Sequence, residues 1–113
     1  MSKREPRIIL EDILDCAGKI LAYTKEMQYL EFLNDSKTRE AVYRNFEVMG
    51  EAANRMPENF MDANPEIEWH KIISTRNRII HSYDEIDDMI IWNIIQNTLP
   101  GLKTMLEDLL KKT

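Results

Sequence analysis

Apolar residues recur at helical spacing along four stretches of the chain. In the first, from about Ile8 to Met27, Ile9, Ile13, Ala17, Ile20 and Thr24 share a face. A second runs from a cap at Asp35 or Ser36, with Glu40 placed for a capping box, to about Arg55, and stops before Pro57. Val42, Met49, Ala52, Ala53 and Met56 fall together there. After a breaker-rich loop, Asn64-Pro65 signals the start of a third helix, and Trp69 to Tyr83 carries its pattern. The fourth begins at a cap on Asp87 or Asp88, after an acidic turn from Asp84, and reaches about Lys111. Ile91, Ile95, Leu99, Leu102, Leu106 and Leu109 stay on one side across Pro100, which predicts one helix kinked at the proline. No strand and no repeat emerges. The expected architecture is all-α: a single domain over 1–113, an up-and-down bundle of four main helices. Trp92 and Ile90 lie at the margins of their stripe, which leaves apolar surface for a partner, and a homodimer through one or two helices is expected.

Polar residues interrupt two of these stripes. At about 100° per residue, Trp69, Ile72, Ile73, Ile79, Ile80 and Tyr83 form one apolar face, and Arg76 sits at its centre. A charge withdrawn from water costs several kcal/mol unless it is paired, so Arg76 marks either a buried ion pair or a site. Asn45 falls within the apolar face of the second helix, where its amide needs partners; Arg76 on a facing helix is one candidate. Gly50 in mid-helix costs about 1 kcal/mol relative to Ala and implies that another backbone passes close by. Glu47 and Glu51 lie on the polar side with Arg44 and Arg55, the pattern of a surface ion-pair ladder.

Composition narrows the function classes. The 113 residues suffice for one core, and 31% charged residues with only 3 glycines favour helices over a turn-rich β fold. The 7 methionines suit adaptable packing or an interface. A net charge of −5 excludes the broad basic surface of a general nucleic-acid binder, so any such contact is local and salt-sensitive. Cys16 stands alone, which excludes an internal disulfide and fits a reducing compartment. With neither a membrane-length apolar run nor a signal-peptide core, the expected location is cytoplasmic.

The candidate chemistry centres on the third of the four stretches. His81 lies about 140° around the axis from Arg76 and roughly 7.5 Å along it. It aligns instead with His70, Ser74 and Asn77 in a polar stripe. Arginine can curl toward that stripe; alternatively the helix ends at His81, or a second subunit completes the pocket. A solvated histidine favoured by the helix dipole is the simpler explanation from position alone. Tyr83 reads first as core packing with its hydroxyl at the edge. A metal site is not expected: His70 and His81 are roughly 16 Å apart on a helix, and neither HExxH nor a cysteine pair is present.

Arg76 to Tyr83 reads R-N-R-I-I-H-S-Y and resembles the R-x4-H-x-Y motif of HEPN-domain proteins of the HepT type, the DUF86 family. RNFEVMGEAANRMP (Arg44 to Pro57) is similar to that family's second-helix block, IEWHKIISTRNRIIHSY (Ile67 to Tyr83) to its motif helix, and the last helix with Trp92 and Leu99-Pro100 also fits. The resemblance implies a HEPN bundle that dimerises and brings two motifs to a shared cleft. It implies a metal-independent ribonuclease acting as the toxin of a toxin–antitoxin pair, opposed by an MNT-type nucleotidyltransferase antitoxin that can bind the toxin and in some systems adenylylates the motif tyrosine. Arg76 and His81 then become the catalytic pair and Tyr83 the modification target. Asn77, Asn45, Glu47 and Arg78 are the candidates for holding or supporting the RNA, with no cofactor. Asp84-Glu85 stands where relatives often carry an aromatic-Gly pair and adds negative charge beside the implied site. Two alternatives remain: a non-catalytic nucleotide- or RNA-binding module partnering a nucleotidyltransferase, and a purely structural partner of another protein.

Overall fold

The computed structural model describes residues 5–81 and 87–113 and is helical throughout its regular elements. Helix α1 (Pro6–Thr24) begins with proline in its first turn, where the missing N–H would be unpaired in any residue. Short α2 (Tyr29–Asn34) is closed by a reciprocal pair in which Gln28 and Glu31 cap each other's backbone. Helix α3 (Ser36–Asn54) starts at Asp35, whose carboxylate accepts from the Thr38 N–H at 3.0 Å and the Thr38 hydroxyl at 2.7 Å. These bonds hold the Asp35 carboxyl below its ordinary pKa, the hydroxyl bond contributing most. Glu40, expected in a capping box here, is instead exposed; the box forms at α2.

The breaker-rich loop contains another short helix, α4 (Glu58–Ala63). Asn64 ends α4, where Asn64-Pro65 was expected to start the next helix. The turn between them is pinned by the Trp69 indole, which donates to the Asn64 carbonyl at 3.1 Å and meets the Phe60 ring edge-on at 6.2 Å. Helix α5 (Trp69–Ile80) follows, with His81 as its C-terminal cap. The Asp87 carboxylate accepts from the N–H groups of Met89 and Ile90 and opens α6 (Asp88–Asn93).

Pro100 does not simply kink the last helix. The segment Ile94–Thr98 is a π-helical turn, in which the Leu99 N–H bonds back five residues to the Ile94 carbonyl, before α7 (Leu99–Lys112) resumes. Pro100 has no N–H, and its ring would crowd the carbonyl four residues earlier; the wider turn absorbs both problems. It also keeps Ile91, Ile95 and Leu99, spaced four and four, on the buried side that Leu102, Leu106 and Leu109 continue.

The core is one cluster. Ile9, Leu10, Ile13, Ala17 and Ile20 of α1 meet Val42, Phe46, Met49 and Ala53 of α3 and the buried face of α7. Cys16 belongs to it, and burial raises its thiol pKa. Trp92 is not left at the margin: α2 covers it, with Phe32 at 5.1 Å and Tyr29 at 6.2 Å between ring centres. Two contacts fix the direction of α5. Gly50 near the end of α3 touches Arg76, and Arg39 near its beginning approaches Asp88, seven residues past His81, at 4.0 Å. Helix α5 therefore runs antiparallel to α3. No helix among the described residues is long and apolar enough to cross a membrane.

Candidate active site

The closest approach of α3 and α5 decides where Arg76 goes. A Cβ added at Gly50 would lie 2.1 Å from the Arg76 Cβ and 2.6 Å from its Cγ, with the Ile72 carbonyl at 3.3 Å. Only glycine lets the stem of Arg76 lie against the α3 backbone. Around it, Trp69, Ile72 and Ile79 are buried and Ile73 and Ile80 half-buried, as the stripe requires.

Arg76 is not sealed in the core. Its side chain keeps 28% of its exposure, and the guanidinium curls toward the polar stripe. Nη1 donates to the Asn77 Oδ1 at 2.8 Å, and Nη2 lies 3.9 Å from the Glu51 Oε1. Nε is buried without a hydrogen-bond partner. One carboxylate at loose range and one amide leave the guanidinium oriented but not saturated, and it can still accept an anion.

His81 ends α5. Its N–H bonds to the Asn77 carbonyl at 2.9 Å, and the residue is exposed. Asn77 precedes it by four residues, so their side chains stack on one face. Asn77 thus joins the two halves of the motif: it touches Arg76 directly and shares the imidazole's face. The turn ending at His81 is one of the three arrangements left open by the sequence, and the curl of Arg76 is another.

The remaining candidates separate. Asn45 is half-buried and donates to the Ala41 carbonyl of its own helix at 2.9 Å, so its expected pairing with Arg76 is not made. Glu47 is half-buried on α3. Among the described residues no ion pair joins Glu47 or Glu51 to Arg44 or Arg55; the expected ladder is replaced by the Glu51–Arg76 pair across helices. Arg78 is exposed and lines a cleft between α5 and α7. Tyr83, Asp84 and Glu85 lie outside the described residues. Glu51 is the contributor that sequence reasoning missed, although its position one residue after Gly50 places it at the close approach. No group of three metal-ligating side chains is assembled among the described residues.

Residues 13–109 match the family model described as ribonuclease HepT-like. "Putative RNase MJ0127" of Methanocaldococcus jannaschii is 38% identical over 98% of this chain and 92% of its own length. "Probable ribonuclease HepT" of Thermococcus cleftensis is 36% identical over 96% of this chain and 99% of its own. No solved structure matches. With its arginine, asparagine and histidine arranged along one helix end and the match spanning nearly the whole bundle, this chain belongs to the HepT-like ribonuclease family.

Proposed function

We propose that the chain is a metal-independent endoribonuclease, that it works as the toxin of a toxin–antitoxin pair, and that a nucleotidyltransferase antitoxin silences it through Tyr83. The observation that carries the catalytic part is the Asn77 bridge, which aims a half-buried guanidinium at the face where His81 is exposed.

The chemistry needs one base, one anion holder and one acid. The His81 imidazole takes the proton from a ribose 2′-hydroxyl, and an imidazole can do so near neutral pH. The freed 2′-oxygen attacks the adjacent phosphorus, the bond from phosphorus to the 5′-oxygen breaks, and a 2′,3′-cyclic phosphate remains. Arg76 supports the charge that builds on the phosphate oxygens. The departing 5′-oxygen needs a proton, which His81 of the partner subunit supplies in a homodimer. DNA lacks the nucleophile and survives.

Silencing follows from the same charges. Transfer of AMP from ATP to the Tyr83 oxygen, with release of pyrophosphate, would place a phosphate two residues from His81. That phosphate competes with RNA for Arg76. A mass increase of one or more AMP units on Tyr83 after co-expression with the antitoxin supports this arm, and no increase removes it.

Glu51 favours a second reading, binding without cleavage, because a carboxylate beside Arg76 offsets the charge it can offer the dianionic phosphorane of cleavage more than that needed by the singly charged diester of bound RNA. Purified protein incubated with RNA in a chelator separates the two. Cleavage that falls roughly 10²- to 10⁴-fold in His81→Ala is the expected result. Binding with no cleavage at high protein excess establishes the second reading instead.

A further inference from the structure

One part of this acidic chain holds no net negative charge. Trp69 to His81 carries Lys71, Arg76 and Arg78 and no carboxylate, and Met89 to Leu106 carries Lys103 and no carboxylate. All 20 acidic side chains lie outside these two stretches. The fold brings the two together as the walls of a single cleft of about 540 Å³, in the range of small-ligand sites. Phe46 and Met49 of α3 lie at its bottom and are almost fully covered; Ile94 and the exposed Met105 form its apolar wall, and its rim carries Thr75, Asn97, Lys71 and Arg78. The one acidic residue at the mouth, Glu68, is neutralised by Lys71 at 2.9 Å.

The π-helical turn shapes this cleft. Ile94, Asn97 and Thr98 belong to that turn and line it, and a Cβ at Gly101 would meet nothing within 4 Å. The wall is therefore open at Gly101, where α7 begins.

The cleft also ends beside the candidate catalytic residue. Ser74 and Arg78 line it, and at about 100° per residue His81 falls roughly 20° from Ser74 and 60° from Arg78. Around the end of α5 the order is Arg76 curled onto Asn77, then His81, then Arg78 and the cleft. By helical spacing, position 81 falls between Arg76 with Asn77 and the cleft-lining Arg78.

We propose that this cleft is a subsite for one nucleotide of single-stranded RNA, with the base against Ile94 and Met105 and the phosphate at Arg78. The proposal rests on the reading that the chain acts on RNA. An aliphatic and sulfur-bearing wall accepts the face of any base. The Asn97 amide can meet a base edge, and the cationic rim suits a phosphodiester. A nucleotide seated there lays the adjoining phosphodiester across His81, with Arg76 beyond it. The subsite would thereby orient the scissile bond.

The test is affinity for a fluorescein-labelled octaribonucleotide at low salt, measured by anisotropy in a His81→Ala background that prevents turnover. Gly101→Leu fills the cleft from a position with open space and improves helix propensity, so the fold should persist. It should weaken binding about tenfold or more. Thr104→Leu places the same leucine side chain on α7 outside the cleft and should bind as its parent. RNA bound equally well by Gly101→Leu overturns the subsite while leaving the ribonuclease reading intact. Gly101→Leu that converts a dimer to a monomer also overturns it, and makes the cleft a subunit interface. Absence of both binding and cleavage in the unmodified chain overturns the RNA reading itself.

Discussion

At the scale of single residues, Arg76 and Gly50 are one device. The arginine stem needs the absence of a Cβ at position 50, and the guanidinium needs Asn77 and Glu51 to turn it toward His81. Gly50→Ala ought to raise helix propensity by about 1 kcal/mol. The overlap with the Arg76 stem outweighs that gain, and a net loss of about 1–3 kcal/mol is expected from urea unfolding. RNA cleavage should fall with it, because the arginine is pushed off its line. Arg76→Lys preserves the charge but not the fork, and should lose most of the activity that Arg76→Ala loses. Glu51→Gln separates orientation from stability. Both partners are partly exposed, so the pair contributes at most about 1 kcal/mol after solvent screening. An unfolding midpoint close to the parent's with altered cleavage is the expected result, and unchanged cleavage would mean that Glu51 does not orient Arg76. Arg76 and Gly50 were legible in the sequence because each breaks a local rule: a charge on an apolar stripe, a glycine within a helix. Glu51 breaks none. Its partner comes from another helix, and helical periodicity assigns it only to a polar face.

At the scale of elements, length decided what could be read. The long helices α1, α3 and α7 repeat their apolar positions over several turns. Helices α2 and α4 have six residues each, too few for a period to show. Their role is nonetheless structural: α2 shields Trp92, and α4 with its following turn seats Trp69. Trp92→Ala should cost about 3–5 kcal/mol and free α2, read as lost hydrogen-exchange protection over Tyr29–Asn34. The start of α3 responds to acid. Hydrogen bonds from Thr38 lower the Asp35 carboxyl in the folded chain, so its contribution is complete above the unfolded value of about 4 and is lost as pH falls through the folded one. The stability gap between the parent and Asp35→Ala should accordingly narrow on acidification below about pH 4. A gap that widened there would contradict this capping. The π-helical turn was hidden because its evidence, four-and-four spacing ahead of a proline, also fits a simple kink.

At the scale of the whole molecule, charge is segregated more than it is balanced. A chain of net charge −5 places two carboxylate-free stretches against each other and ends one of them in His81. RNA affinity should therefore be local and fall steeply with salt. What the sequence could not supply is the register of α3 against α5, which sets Glu51 against Arg76, and the cleft between α5 and α7. The central claim is that His81 removes a 2′-proton while Arg76 holds the phosphate, and one measurement addresses it directly. An oligoribonucleotide of defined sequence is digested in chelator, its 5′ fragment is weighed by mass spectrometry, and a copy with a single 2′-deoxy sugar at the cut position is treated in parallel. The account predicts a 2′,3′-cyclic phosphate from the parent protein, no fragment from the 2′-deoxy copy, and cleavage slowed at least about 10²-fold in His81→Ala. A cut at the 2′-deoxy position, or the same fragment at the same rate from His81→Ala, would contradict it.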